Sequence, residues 1–282
     1  MSPEPVLPVQ FSRGCYYKDC AFCALTLDHQ NFRQRDPGKT VDDLVWLKER
    51  YGAQSFFFTD ECFALSPTKR LCQQMIDRQV NVKWTCELRF EKNLTRELLG
   101  QMRDAGCLKI VFGLESFNQR VMDFMKKGIK QESVRRIVDD CVDLGIAVHC
   151  YVIVGFPTEK EEEALDTMNF VVGNKKLHES YGFSCQPCLF DLEKEAPIMS
   201  DPGSYGIRRI MRPATEDLSL GFFYEVQEGM TPAQAEQLYQ QVYEKISEVV
   251  CELPFNYSMA DGLLYIARAK SQALQVPQPT GS

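Results

Sequence analysis

The chain has 282 residues, 44% of them hydrophobic and 25% charged, which suits one globular domain of barrel size or a domain with a small appendage, with enough chain to bury a full core. A formal net charge of -7 and the lack of a long basic run argue against general binding to a nucleic-acid backbone. No secretory signal opens the sequence and no stretch reaches the roughly 20 apolar residues of a membrane span, so the cysteines are expected as reduced thiols in a soluble, cytoplasmic protein.

In chain order, residues 6–11 read as a short strand that runs into a cysteine-rich loop. Thr40 is the candidate cap of a helix whose apolar positions Val41, Leu44, Val45 and Leu47 recur at helical spacing. Residues 55–59 are an apolar run of strand length, and Ser66-Pro67 opens a helix with Leu71, Met75 and Ile76 on one face. The alternation continues with strands over 82–88, 108–114, 146–154 and 181–192, separated by helices over 95–105, 131–144 and 161–172. Continuous apolar strands alternating with amphipathic helices predict an α/β fold, a partial (β/α)6 TIM-type barrel over residues 1–192 with its active groups at the carboxyl ends of the strands. Pro197, Pro202-Gly203, Tyr205-Gly206 and Pro213 mark loops up to Thr231, where a helix begins that runs to about residue 250. Residues 193–274 are thus expected to be a loop-plus-helix extension covering the barrel, and 275–282 a disordered tail.

The chemistry concentrates in Phe11-Ser-Arg-Gly-Cys15-Tyr-Tyr-Lys-Asp-Cys20-Ala-Phe-Cys23. Thiolates this close on a glycine-bearing loop can converge on one metal centre, and soft sulfur selects zinc, copper or iron-sulfur clusters. A closed zinc site wants four ligands, usually as two separated pairs. Cys185 and Cys188 make such a pair, but only far downstream in an apolar run. The C-x4-C-x2-C spacing also occurs in plant-type two-iron ferredoxins, which are small domains. Three cysteines would leave one iron of a 4Fe-4S cube open to a substrate or cosubstrate, and an open iron-sulfur site is the favoured reading, with structural zinc as its rival.

This motif resembles the radical S-adenosylmethionine (radical SAM) superfamily, in the branch that includes cobalamin-binding radical SAM enzymes and methylthiotransferases. The commonest family spacing is C-x3-C-x2-C, so the extra residue between Cys15 and Cys20 is a departure. The resemblance implies that Cys15, Cys20 and Cys23 hold a 4Fe-4S cluster whose open iron chelates S-adenosylmethionine, with Phe22 as a cofactor contact. It also implies that reductive cleavage gives a 5′-deoxyadenosyl radical that abstracts a hydrogen.

Further resemblances follow at successive strand ends. Asp60-Glu61 matches the segment that contacts the methionine amino group; its plain reading is solvated loop carboxylates. Glu87 and Arg89 share one face of their strand, where they could pair, and Glu87 matches an acid that approaches the ribose. Gly113-Leu-Glu115-Ser116 resembles the family's Gly-x-Glu-Ser element, which makes Glu115 and Ser116 cosubstrate contacts. Lys127-Gly128 resembles a turn whose cation pairs with the methionine carboxylate, against the plain reading of a solvated helix end. Gly155-Phe-Pro157-Thr-Glu159 is similar to Gly-Phe-Pro-x-Glu and would place Ile153 and Gly155 beside the adenine.

Cys72, Cys86, Cys107, Cys141 and Cys150 read as small buried residues. Cys185 and Cys188 could join Cys62 or Cys251 in an auxiliary cluster, although C-x2-C within a strand sends its two thiols to opposite faces. Cys251 could return a hydrogen atom to a substrate radical, as a cysteine does in radical SAM epimerases. His29, His149 and His178 show no ligand spacing and read as core or surface residues.

The expected activity is an epimerase, dehydrogenase or rearrangement enzyme acting on a small molecule, a peptide or a secondary metabolite, with a flavodoxin- or ferredoxin-type electron donor. The chain begins almost at the cysteine motif, which demotes the alternative of a cobalamin-dependent methyltransferase core. From another class, a non-catalytic iron-sulfur electron carrier or a zinc-stabilised module is the competing expectation. A carrier has no use for Glu115, Ser116 and Lys127 converging above a cluster.

Overall fold

The computed structural model describes residues 5–24, 31–179, 183–212 and 221–249. Strand β1 (Val6–Val9) leads into the cysteine loop, which is flanked by a small antiparallel pair, β2 (Ser12–Arg13) and β3 (Arg33–Gln34). Helix α1 (Pro37–Tyr51) precedes β4 (Ser55–Phe58), α2 (Leu65–Asp77) precedes β5 (Lys83–Leu88), and α3 (Arg96–Asp104) precedes β6 (Cys107–Glu115). A short α4 (Gln119–Phe124) and α5 (Gln131–Asp143) lead to β7 (Ala147–Val154); α6 (Glu161–Gly173) and α7 (Lys175–Glu179) lead to β8 (Ser184–Leu189). All neighbours are parallel in one six-stranded sheet of order β1-β4-β5-β6-β7-β8, the partial TIM-type barrel expected from the alternation.

The pleat gives that sheet two different faces. Phe56, Trp84, Phe112, Val148 and Cys185 are buried in the core beneath the helices. Trp84 has no exposed surface, stands edge-on to Phe58, and donates its indole N–H to Ala105 O at 2.8 Å, which satisfies its one polar atom. The alternate positions, among them Thr85, Glu87, Lys109, Glu115, His149 and Ser184, lie on the opposite, concave face.

Several boundaries differ from expectation. Asp36, not Thr40, caps α1: its carboxylate accepts from Lys39 N at 3.1 Å with Pro37 in the first turn, while Thr40 lies inside the helix and donates back to Asp36 O at 3.2 Å. The strand expected over 181–192 is shorter, because β8 ends at Leu189 and Leu192 joins another sheet. The region read as loops to Thr231 holds β9 (Leu192–Glu193), β10 (Ile207–Met211) and β11 (Gly221–Val226) in antiparallel order β10-β11-β9, with two 3-10 turns between β9 and β10. These strands are short and carry Arg208, Arg209 and Glu225, so cross-strand pairing and not apolar periodicity defines them. Helix α8 (Pro232–Val249) closes the described chain, with Ala235, Leu238, Val242 and Ile246 in the main core. His29, Cys251 and the 275–282 tail lie outside the described residues. No helix among the described residues is long and apolar enough to cross a membrane.

Candidate active site

The cysteine loop is tied down by the end of β4. Asp60 accepts from Phe11 N at 3.0 Å, from Ser12 Oγ at 2.6 Å and from Ser12 N, and Glu61 accepts from Gly14 N at 2.9 Å. Burial pushes the Asp60 carboxyl up to about 6 in spite of these bonds, which favour its charged form. Asp60 and Glu61 therefore serve the backbone N–H groups of the loop. Further along, Ala21 N donates to Met125 O at 2.9 Å and Ile198 N donates to Ala21 O at 2.8 Å, so the loop is stitched both to the segment after α4 and to the first 3-10 turn.

Two buried cations stand against the thiols. Arg89 is 6% exposed, lies 3.5 Å above the Tyr17 ring, donates to Cys20 Sγ at 3.7 Å and donates to Lys127 O. Its carboxylate partner is Glu91 at 3.3 Å, not Glu87 as the shared strand face suggested, because Arg89 lies just beyond the end of β5. Lys127 pairs with Glu115 at 2.9 Å and sits 5.5 Å from the centre of the Phe22 ring. Burial opposes the Lys127 charge, yet Glu115 and Cys20 hold its ammonium above the ordinary range. Glu115 ends β6 in a left-handed conformation at φ 61, a strained geometry of the kind found at ligand sites. A side chain at Gly113 would place its Cβ 2.5 Å from Glu115 Oε1 and 2.8 Å from Lys127 Nζ, so glycine there makes room for the ion pair.

The thiols differ in environment. A hydrogen bond from Cys62, opposed by burial and aided by the Tyr17 and Lys18 amides, draws Cys15 down to about 6. Burial holds Cys20 above the ordinary thiol value against the pull of Lys127 and Arg89. Glu87 faces the same space and is pushed up to about 7 by burial and then by Glu115 and Glu61. Among the described residues no three His, Cys, Asp or Glu side chains gather at a point fit for one metal ion. Cysteine thiolates that hold a cubane each bind a different iron and have no need to do so. Cys20 stands against both buried cations and Cys15 also feels Arg89, so thiolate charge on this loop is offset, a setting that fits an iron-sulfur cluster.

The other expected residues find different partners, although Ile153 shares an apolar cluster with Ala21 of the cysteine loop. The Ser116 hydroxyl points to the helix side, 3.3 Å from Thr167 Oγ1, and accepts from Asn118 N at 3.1 Å, as strand alternation after Glu115 requires. Ile153 is buried in a second apolar cluster with Phe156 and Phe190. Gly155, at φ 86, donates its N–H to Glu159 Oε2 at 2.7 Å, and a Cβ there would stand 2.4 Å from Ala235 Cβ, so its bareness serves the approach of α8. Cys185 lies in the core and Cys188 is exposed on the opposite face, while Cys62 lies beside Cys15; the auxiliary set of these three is not assembled. Sequence reasoning passed over Tyr17 and Lys109, gave Cys62 only to an auxiliary cluster, and read His149 as a core or surface residue. A lysine inside the apolar run Cys107-Leu-Lys109-Ile-Val-Phe112 was the signal for one of them.

The family model described as "Radical SAM superfamily" matches residues 9–171. An uncharacterized methyltransferase of Pyrococcus horikoshii is 28% identical over 176 residues, which cover 61% of this chain and 37% of that protein. The anaerobic magnesium-protoporphyrin IX monomethyl ester cyclase of Rubrivivax gelatinosus is 30% identical over 170 residues, covering 59% of this chain and 30% of that protein. The chain thus spans about a third of the length of these curated relatives. Among solved structures, the radical S-adenosylmethionine methyltransferase TsrM from Kitasatospora setae, with cobalamin and a [4Fe-4S] cluster bound, superposes with TM-score 0.65 over 97% of this chain and 62% of that chain at 15% identity, a likeness of fold.

Proposed function

The chain belongs to the radical SAM superfamily, and on that premise we propose that its sheet carries a substrate on the concave face, below the cysteine loop, for methyl transfer assisted by cobalamin. As a member it is an enzyme that uses a 4Fe-4S cluster and S-adenosylmethionine. The observation that carries the reading is the convergence of the cysteine loop, Arg89 and the Glu115–Lys127 pair at the carboxyl ends of β5 and β6. Cys15, Cys20 and Cys23 would hold the cluster. When bound, cluster and cosubstrate supply one-electron cleavage of a carbon–sulfur bond and the radical chemistry that follows.

The residues do the rest. Asp60 and Glu61 hold the loop's backbone, Arg89 offers an N–H to the Cys20 sulfur, and Lys127 with Glu115 presents a charge pair to the polar end of an amino-acid cosubstrate. Glu87 and Glu115 face the concave side from adjacent strands, where a ribose hydroxyl would find acceptors. The Phe156, Phe190 and Tyr224 cluster seals one flank against water.

Methyl transfer is favoured because the Pyrococcus relative is named a methyltransferase and the TsrM structure carries cobalamin, which the expectation drawn from the chain's first residues had demoted. A second reading, hydrogen abstraction in an epimerase, dehydrogenase or rearrangement enzyme, is favoured by the Cys188 thiol exposed on the concave side. A flavodoxin- or ferredoxin-type protein would supply electrons in both. The test is anaerobic reconstitution with iron and sulfide, reduction, and addition of S-adenosylmethionine with and without cobalamin. S-Adenosylhomocysteine and methylcobalamin that depend on added cobalamin support methyl transfer. 5′-Deoxyadenosine alone supports hydrogen abstraction, and neither product from a cluster-loaded protein rejects both.

A further inference from the structure

At the opposite end of the sheet from the cysteine loop, three neighbouring strands bring Lys109 (β6), His149 (β7) and Ser184 (β8) together on the concave face; the residues that follow Lys109 and Ser184 and the one before His149 belong to the helix-side core. His149 and Ser184 are register partners. Lys109 Nζ donates to Ser184 Oγ at 3.1 Å, and that oxygen lies 2.7 Å from His149 Nδ1. An ammonium only donates, so the Ser184 oxygen accepts from Lys109 and is also hydrogen-bonded to Nδ1, as donor or acceptor according to the ring tautomer.

The arrangement is costly as mere packing. Lys109 is 5% exposed, and among the described residues no carboxylate pairs with it. Burial alone draws its ammonium down to about 8, and burial with the Lys109 charge lowers His149 to about 3. A methionine would fill the same volume without burying a charge. His149 and Ser184 are only partly buried, so a ligand can reach the wall they form. Among the described residues, two Lys109 N–H groups remain to be given. Six residues separate Lys109 from Glu115 on one strand, about 20 Å, which sets this group apart from the cosubstrate end.

We propose that Lys109, Ser184 and His149 form an oxyanion subsite on the concave face, which takes a carboxylate or phosphate-type group of an elongated substrate whose far end lies beneath the cysteine loop. The proposal rests on the reading of the concave face as the substrate surface. Inorganic phosphate and glutarate are the probes, titrated by calorimetry into the reconstituted protein at constant ionic strength. Saturable binding of at least one is expected, weakened about tenfold or more in Lys109→Met, as the loss of a charge-assisted contact requires. Ser184→Ala, at a partly exposed position, is expected to weaken it in the same direction. The relative affinities of the two probes distinguish a phosphate-type group from a carboxylate.

A urea midpoint for Lys109→Met at or above that of the parent confirms that the variant folds. No saturable binding to the parent protein, or equal affinity in parent and a folded Lys109→Met, overturns the subsite; an anion held at Arg89 or Lys127 gives that second result. The parent preparation is also assayed for products of S-adenosylmethionine. Their absence counts against the proposed reaction and leaves the anion result standing.

Discussion

Toward its helices the six-stranded sheet is sealed by Trp84, Phe112 and Val148, whereas on the concave side the same strands carry Glu87, Lys109 and His149. Both faces are largely withdrawn from water, yet only one has its polar atoms fully matched. Trp84 has Ala105 O, while Thr85 Oγ1, the next residue and on the other face, is buried without a partner among the described residues. Burial of a polar group without a hydrogen bond costs free energy, so folding alone does not explain such a face. The helix side is built for stability and the concave side for a ligand.

The largest expected effect is on the loop that crowns the concave side. Cys20→Ala should abolish turnover of S-adenosylmethionine and lower the iron content of reconstituted protein; turnover at the parent level would remove the cysteine loop from the active site. Next, Trp84→Ala should lower stability by about 3–5 kcal/mol, because a cavity and an unpaired carbonyl are left in the core. Urea denaturation measures it, and a loss under 1 kcal/mol by the same scale would break the division of labour between the faces.

A third test uses pH. Glu159 is 1% exposed, burial raises it to about 8, and its Oε1 lacks a partner among the described residues. A carboxyl raised in the folded state holds its proton more tightly folded than unfolded. Its contribution is therefore complete below the ordinary value near 4.5 and is lost as pH rises to about 8. Glu159→Gln should remove a decline on the order of a few kcal/mol across that window, read as the difference in urea midpoint between variant and parent. Equal declines in the two proteins would reject it. The smallest effect is also the most diagnostic of the two faces: Thr85→Val should be neutral or stabilising by about 1 kcal/mol, since it replaces an unpaired hydroxyl with a methyl group.

The parallel strands were legible because residues of both faces make apolar runs, as in Phe56-Phe57-Phe58, and the intervening helices repeat at their own period. The strand-end motifs were legible as well, and Glu115, Lys127 and Arg89 do converge with the cysteine loop. What stayed hidden depends on contacts between distant segments. Asp60 and Glu61 look like free loop carboxylates until the loop backbone, nearly fifty residues away, is laid against them. Ser116 shares a motif with Glu115 but points the other way, since adjacent strand residues must. The β9–β11 sheet was missed because its pairing carries more information than its composition.

The anchoring of the cysteine loop bears on how the protein is supplied with iron. Zinc fingers are unfolded until metal arrives, and metal binding is their folding free energy. Here Asp60, Glu61, Met125 O and Ile198 N fix the loop's backbone through protein groups alone. If the proposed cluster site is right, these contacts are expected to let the loop take up iron with little rearrangement of its backbone, and Asp60→Ala to slow that loading in a reconstitution time course.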